Sequence, residues 1–214
     1  MNKIMAMDDA IKMIKDGDVL LVGGFGPRGY PGRILRALLK KSAAKDFTII
    51  INGLNKFYLN TMEKILKSRA NRLICTYVRN SEGERMFNEG KAEIVPQGTF
   101  AERLRCGGAG IPAFYTPVGV GTDVAKGKEV KNIDGRDYLM EKALKGDVAL
   151  ISATKVDKSG NCFMRGCTKQ FSTLMPAAAK YTIVETHQIV EVGEIDPELI
   201  SVPGIMVDAI VYVG

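Results

Sequence analysis

The sequence predicts an α/β fold: a single domain in which a mostly parallel sheet is flanked by helices. Short apolar runs rich in Val and Ile alternate with helical patterns along most of the 214 residues. This alternation is typical of a parallel sheet that is covered on both faces. The chain is also long enough to bury a large core. Because no repeat, linker or shift in composition divides it, we expect one domain over residues 1–214.

The first half of the chain supplies the helices and strands around a glycine-rich segment. Asp8 precedes a short helical pattern over 10–15, which we expect it to cap. A strand over 18–23 leads into the glycines, and an amphipathic helix over 32–43 follows them. The other elements predicted here are strands at 47–52, 72–77 and 92–95 and helices at 59–69, 81–88 and 99–105.

The second half is expected to complete the sheet. The apolar run 147–153 predicts a buried strand, a helical pattern covers 171–180, and two further strands are expected at 181–185 and 207–213. Residues 106–138 interrupt the alternation with seven glycines and two prolines. Long glycine–proline stretches within a compact domain are usually functional loops. We therefore expect an irregular, functional or mobile covering loop there.

Composition and charge exclude several classes of protein. The chain is 46% hydrophobic and carries a net charge of +6, and no apolar run approaches the length of a membrane span. The N-terminus has no signal-peptide pattern. We expect a cytoplasmic protein with neither a membrane nor a nucleic acid as partner. The dispersed lysines and arginines predict a solvated surface or, alternatively, attraction of a polyanionic ligand.

The cysteines and the single histidine predict no metal site. The four cysteines are widely spaced and form no Cys-x-x-Cys pair, and His187 is the only histidine. We expect each cysteine to be a small buried residue and His187 to be a surface or packing residue. A nucleophilic Cys–His pair has no supporting motif.

The glycine-rich segment is the most specific feature of the chain. A buried strand, the glycines of 23–29 and a helix start form a device that commonly holds an anion. Glycines let the bare backbone approach a ligand, and Pro31 suits the first turn of the following helix. Residues 24–29 also fit the dinucleotide pattern G-x-G-x-x-G, but no acidic residue follows the next strand, which disfavours that interpretation. A tight turn without a ligand is the other alternative.

Residues 16–31 resemble the first signature of the family I coenzyme A transferases. That pattern reads Asp/Asn, Gly/Asn, two free residues, three apolar residues, Gly-Gly-Phe, three free residues, Gly, one free residue and Pro, and Asp16 to Pro31 satisfies every fixed position. Residues 95–105, 107–122 and 202–208 resemble other segments of 3-oxoacid transferase α subunits. The resemblance implies a NagB/RpiA-like α/β fold, coenzyme A as a substrate and no permanently bound cofactor.

The same resemblance implies that the nucleophile lies in another chain. The family uses a glutamate in a Ser-Glu-Asn-Gly motif of a β subunit for ping-pong covalent catalysis. The nearest segment here is Ser81 to Glu84, which we interpret as a helix capping box. We expect no catalytic residue in this chain and a β-subunit partner in an αβ or α2β2 complex that acts on an acyl-CoA and a carboxylic acid.

Two other functions remain open at this point. The first is a sensor subunit that binds coenzyme A or a sugar phosphate without turnover. The second is a hydrolase or isomerase relative that acts alone, which would need its own acid and base.

The resemblance also assigns binding residues. Gln97 matches an amide donor near the substrate carboxylate, although it could be only a polar turn residue. Asn52 matches the first of two asparagines in that pocket, and Gly53 stands in place of the second. Residues 169–172 also depart from the family's usual form, so the resemblance does not name one acid. The expected coenzyme A and substrate-binding residues are Gly23, Gly24, Phe25, Gly26, Pro27, Arg28, Gly29, Asn52, Gln97, Gly98, Gly108, Ala109 and Gly110, the last three either walling the acyl site or serving backbone packing.

Overall fold

A seven-stranded sheet forms the centre of the computed structural model, which describes residues 3–26, 28–54 and 59–214. All neighbouring strands of this sheet pair in parallel, in the order β15-β13-β10-β1-β2-β4-β6. The predicted α/β class is therefore confirmed. The strands are β1 (Val19–Val22), β2 (Phe47–Ile51), β4 (Ala70–Cys75), β6 (Ala92–Ile94), β10 (Gly146–Ala153), β13 (Ala179–Thr186) and β15 (Ala209–Tyr212).

Helices cover both faces of the sheet, and successive side chains of each strand point to opposite faces. In β2, Ile49 and Ile51 belong to one core cluster, while Ile50 belongs to the other. The first cluster includes side chains of α1 to α4, and the second includes those of α5 and α6. The sequences of these strands are therefore continuous apolar runs, because both faces of the sheet are buried. The helices are α1 (Met7–Lys12), α2 (Gly32–Lys41), α3 (Leu59–Arg69), α4 (Ser81–Asn88), α5 (Gln97–Ala109) and α6 (Met175–Ala178).

Three small sheets extend this framework. The first pairs β3 with β5 in parallel, just beyond the ends of β2 and β4. The second is antiparallel, in the order β7-β9-β8, and the third has the order β12-β11-β14. Their strands are β3 (Gly53–Leu54), β5 (Tyr77–Val78), β7 (Ala113–Thr116), β8 (Val130–Ile133), β9 (Arg136–Lys142), β11 (Lys155–Asp157), β12 (Cys162–Phe163) and β14 (Ile189–Val190).

The expectation of an irregular loop over 106–138 is wrong in part. The start of this region completes α5, and β7, β8 and the first residues of β9 lie within it, whereas 117–129 is irregular apart from a 3₁₀ turn over Asp123–Ala125. Asp134 and Gly135 both have positive φ and form a two-residue connection between β8 and β9. Such a turn matches the twist of an antiparallel hairpin. The glycines of this region therefore include hairpin and turn positions.

Two predicted helix caps are also wrong. Asp8 does not cap α1, because the helix already begins at Met7 and Asp8 lies in its first turn. Ser81 does not cap α4; the side chain of Asn80 does so by accepting a hydrogen bond of 2.7 Å from the Gly83 N–H. α1 begins earlier than its apolar pattern indicates, whereas α4 begins at Ser81 as predicted and only its cap differs.

The predicted helix over 171–180 is shorter than expected. A 3₁₀ turn covers Phe171–Thr173, α6 has only four residues, and β13 already begins at Ala179. The predicted helix over 99–105 is longer in the structure, because α5 includes Gln97 and Gly98 at its start.

Candidate active site

The carboxyl edge of the parallel sheet brings together most of the expected binding residues. The glycine loop follows β1, Asn52 follows β2, and Gln97 begins α5 shortly after β6. Parallel strands end at the same edge, and ligands of open α/β sheets bind outside those ends. With about 4.8 Å between neighbouring strands, the edge from β1 to β6 spans about 14 Å.

Close packing on a neighbouring segment holds the glycine loop in place. The Gly24 N–H donates a hydrogen bond of 3.1 Å to Ser172 Oγ. A side chain at Gly23 would lie 2.6 Å from the same oxygen, and one at Gly29 would lie 3.0 Å from the Thr168 backbone. Gly24 and Gly29 also have positive φ, which other residues rarely adopt. These contacts with residues 168–172 explain three of the glycines without a ligand.

The tip of the loop is a small closed turn. Phe25 and Arg28 exchange backbone hydrogen bonds of 2.9 and 3.1 Å. Gly26, between them, has a φ of 53° and open space where a side chain would be. Pro27, which belongs to the expected binding set, lies outside the described residues. The turn therefore leaves open space beside the Gly26 backbone.

The helix start after the glycines is already occupied by a carboxylate of the chain itself. Glu185 Oε2 accepts hydrogen bonds from the N–H groups of Arg33, at 2.9 Å, and Ile34, at 2.8 Å. Glu185 lies on β13 and is only 4% exposed. Its burial raises its pKa to about 7, against the opposing effects of these two hydrogen bonds and of the charges of Arg33 and Arg36. These two N–H groups are consequently not open to a ligand anion, although the sequence pattern predicts an anion there.

The N-terminus of α5, in contrast, is open. Its cap residue, Pro96, provides no side-chain hydrogen bond, and Gln97 and Gly98 are exposed. A side chain at Gly98 would meet nothing within 4 Å. Thr99, in the same turn, is 4% exposed, and its hydroxyl has no hydrogen-bond partner within the described residues. First-turn N–H groups carry partial positive charge, so this end of α5 suits a carboxylate or an oxyanion.

Aromatic contacts connect the open end of α5 with the glycine loop. Phe171 packs edge-on against Phe100 of α5, with ring centroids 5.1 Å apart. Its centroid also lies 6.5 Å from that of Phe25 in the loop. Edge-on ring pairs at such distances are favourable. Phe171 thus holds the two parts of the carboxyl edge in a fixed relation.

Thr76, which follows the neighbouring strand β4, holds Asn52 in place. Its side chain is 2% exposed, and its backbone carbonyl accepts hydrogen bonds from the Thr76 N–H, at 2.7 Å, and the Thr76 hydroxyl, at 2.6 Å. The Thr76 hydroxyl also lies 3.3 Å from Asn52 Oδ1. The side chain therefore has a defined position below the edge.

Gly108, Ala109 and Gly110 are not brought to this edge. They lie at the opposite end of the thirteen-residue α5, about 18 Å from Gln97 at 1.5 Å per residue. A side chain at Gly108 would lie 2.7 Å from Ala177 Cβ, and Gly110 ends the helix in the left-handed conformation. Packing and helix termination account for the glycines, so the structure does not support an acyl-site wall here.

Several residues that contribute to the edge carry no signal in the sequence. Ser172, Thr76 and Glu185 are distant in sequence from the residues that they support, and only the fold brings them together. Ser172 was visible only as part of a departure from the family's usual form.

Three of the four cysteines, Cys75, Cys106 and Cys162, are buried. Burial raises the pKa values of Cys75 and Cys162 to about 12, so both thiols stay protonated. Cys106 is also buried as expected, whereas Cys167 is exposed. Over the described residues, no group of three or more His, Cys, Asp or Glu side chains could hold a metal ion. No helix in the same part of the chain is long and apolar enough to cross a membrane.

Comparison with known proteins agrees with this geometry. The family model for coenzyme A transferase matches residues 4–212. The A subunit of a probable succinyl-CoA:3-ketoacid coenzyme A transferase from Bacillus subtilis is 42% identical, over 99% of this chain and 90% of its own length. The alpha subunit of the acetate CoA-transferase from Escherichia coli is 38% identical, over 98% of this chain and 96% of its own length.

Solved structures share the fold. An acyl-CoA transferase from Escherichia coli O157:H7 has a TM-score of 0.86 at 19% identity, and this chain matches it over 99% of its own residues but only 47% of that longer chain. Glutaconate coenzyme A-transferase from Acidaminococcus fermentans has a TM-score of 0.81 at 24% identity, with 98% and 75% of the two chains covered. The match of the family model over almost the whole chain shows that this protein belongs to the coenzyme A transferase family.

Proposed function

We propose that this chain is the α subunit of a CoA-transferase that moves coenzyme A between an acyl-CoA and a short-chain carboxylic or 3-oxo acid. The observation that carries the proposal is the open N-terminus of α5 with Gln97 at the carboxyl edge of the sheet, in a chain that the family model covers from residue 4 to 212. Relatives at 38%, 39% and 42% identity are named as A or alpha subunits of such enzymes.

The reaction needs a nucleophile, which we place in a β subunit with a Ser-Glu-Asn-Gly motif. The glutamate attacks the acyl-CoA carbonyl, forming an acyl–glutamyl anhydride and releasing CoA thiolate. The thiolate then attacks the glutamyl carbonyl, so that the donor acid leaves and a glutamyl–CoA thioester remains. The acceptor acid reverses these steps, which is ping-pong covalent catalysis. Coenzyme A is a substrate here, and no permanently bound cofactor is required.

The task of this chain is to bind the reactants and stabilise charge. The Gln97 side-chain amide and the free N–H groups of the first turn of α5 donate hydrogen bonds to a substrate carboxylate or to negative charge that develops during acyl transfer. Asn52 contributes a second amide near the same edge. The half-buried backbone at Gly26 binds part of coenzyme A. Donors that are fixed before the reaction contribute more than donors that must reorient.

The test is a transfer assay with the assembled enzyme. The chain is co-expressed with the adjacent gene product that carries the Ser-Glu-Asn-Gly motif, the complex is purified, and acetoacetyl-CoA is mixed with acetate. We expect acetyl-CoA to form, and hydroxylamine trapping followed by mass spectrometry to modify one glutamate of the partner. A modified residue within this chain, or transfer by this chain alone, contradicts the proposed division of roles. A complex that binds coenzyme A without transferring it supports a sensor instead.

A further inference from the structure

Gly53 is a glycine because an aromatic ring occupies the space of its side chain. A Cβ atom at position 53 would overlap Cε1 and Cζ of Tyr77 and lie 2.7 Å from Cδ1. Gly53 is not among the residues with positive φ, so backbone conformation does not require glycine there. The two residues are direct partners in the parallel β3–β5 pair. The ring of Tyr77 thus lies flat against bare backbone.

The ring points to the face of the sheet on which α5 lies. Leu54 and Val78, the neighbours of the two paired residues, pack into the core of the opposite face and lie against Gly83 of α4. Side chains alternate between the two faces along a strand. Gly53 and Tyr77 consequently face the side of α5, whose first residue is Gln97.

The order of the strands places Tyr77 between the two amide side chains of the edge. β4 lies between β2 and β6 in the sheet, and Tyr77 follows β4, whereas Asn52 follows β2 and Gln97 comes after β6. Tyr77 is only half-buried, and its hydroxyl makes no hydrogen bond to any described residue. The ring therefore places an apolar face, with one hydroxyl at its tip, between two amide groups.

We propose that Tyr77 sets the upper length of the acid that this site accepts, so that the enzyme prefers short carboxylic and 3-oxo acids. This inference rests on the proposed function. A substrate carboxylate binds at Gln97 and the open turn of α5, and its carbon chain packs on the ring of Tyr77. The ring ends the space available to the chain.

The test compares acids of different length with the purified complex of both subunits. Removing the ring by Tyr77→Ala is expected to raise the ratio of kcat/KM for hexanoate to that for acetate at least tenfold, since a methylene in an apolar pocket changes kcat/KM by about 10- to 200-fold. Tyr77→Phe retains the ring and is expected to change this ratio less than twofold. Tyr77→Leu is a second variant that preserves apolar packing on Gly53, and its ratio should fall between those two.

The control and the contrary outcomes separate this inference from the proposed function. Tyr212→Ala removes a 59% exposed tyrosine of β15 and should leave the ratio unchanged. Transfer by all variants with the wild-type ratio refutes the role of Tyr77 but preserves the proposed function. A wild-type complex that transfers no coenzyme A to either acid refutes both. A ratio that changes equally in Tyr77→Phe and Tyr77→Ala refutes a limit based on ring volume.

Discussion

Glu185 makes the stability of this protein depend on pH in a direction opposite to that of most carboxylates. Its burial raises its pKa from 4.5 to about 7, so the folded state holds this proton more tightly than the unfolded chain does. The resulting contribution to stability is fully present below about pH 4.5 and is lost as the pH rises through about 7. A shift of this size corresponds to about 3 kcal/mol.

The substitution Glu185→Gln isolates this effect. The amide oxygen of glutamine can still accept from the N–H groups of Arg33 and Ile34, but the side chain no longer ionises. We expect the variant to gain stability relative to the wild type as the pH rises, by about 2 kcal/mol between pH 5.5 and 8. Other titrating groups affect both proteins alike and cancel in the difference.

The assay is urea denaturation followed by circular dichroism at several pH values. The free energy of unfolding is extrapolated to water for each protein. Glu185→Ala serves as the second variant because it leaves the buried Ile34 N–H and the partly buried Arg33 N–H without this partner. Alanine cannot ionise either, so this variant should be about 2–4 kcal/mol less stable than Glu185→Gln at every pH. A stability difference between Glu185→Gln and the wild type that stays flat, or decreases, from pH 5.5 to 8 refutes the assignment of the raised pKa to Glu185.

Three further predictions test the site and its supports. Gln97→Ala should lower kcat/KM about 10- to 100-fold, because a hydrogen bond to a charged group contributes about 1.5–3 kcal/mol. Its Tm should not change, because Gln97 is exposed. An unchanged kcat/KM would show that Gln97 does not belong to the site. Ser172→Ala should destabilise the protein by about 1–3 kcal/mol in a denaturant titration, because the buried Gly24 N–H loses its partner. Gly108→Val should lower the free energy of unfolding by about 1–3 kcal/mol through overpacking against Ala177. The kcat/KM of the folded protein should not change. A loss of kcat/KM without a loss of stability would indicate that Gly108 lines the acyl site.

The central sheet could be predicted from the sequence because both of its faces are buried. A run such as Val19–Val22 or Gly146–Ala153 is apolar at nearly every position, and the glycines or polar residues around it mark its ends. The predicted strand centres therefore agree with the structure. The small sheets were missed because β8 is exposed along its whole length, so it lacks an apolar pattern, and the Asp134-Gly135 turn was the only local signal of its hairpin.

The candidate site could be predicted only where it depends on backbone or on strand ends. The positions of Asn52 and Gln97 follow from the parallel topology, because each comes after a strand that ends at the same edge. The separation of Gly108 from that edge depends on the length of α5, which continues through two consecutive glycines that normally weaken a helix. Packing against α6 stabilises the helix there, and no property of residues 106–110 alone shows it.

The anion-binding motif and the open helix start lie on different segments of this chain: the motif on the glycine loop, the open helix start on α5. The pattern of strand, glycines and helix start predicts a ligand anion at the start of α2, but the carboxyl group of Glu185 occupies that position. Because Glu185 accepts hydrogen bonds from these N–H groups, the start of α2 has a structural role and fixes the end of the glycine loop. The open helix start at the same sheet edge belongs to α5 instead. A substrate carboxylate that binds this edge should therefore depend on residues 97–99 of α5 and be insensitive to the charge of Glu185, which the Glu185→Gln variant tests through an unchanged KM for the acid.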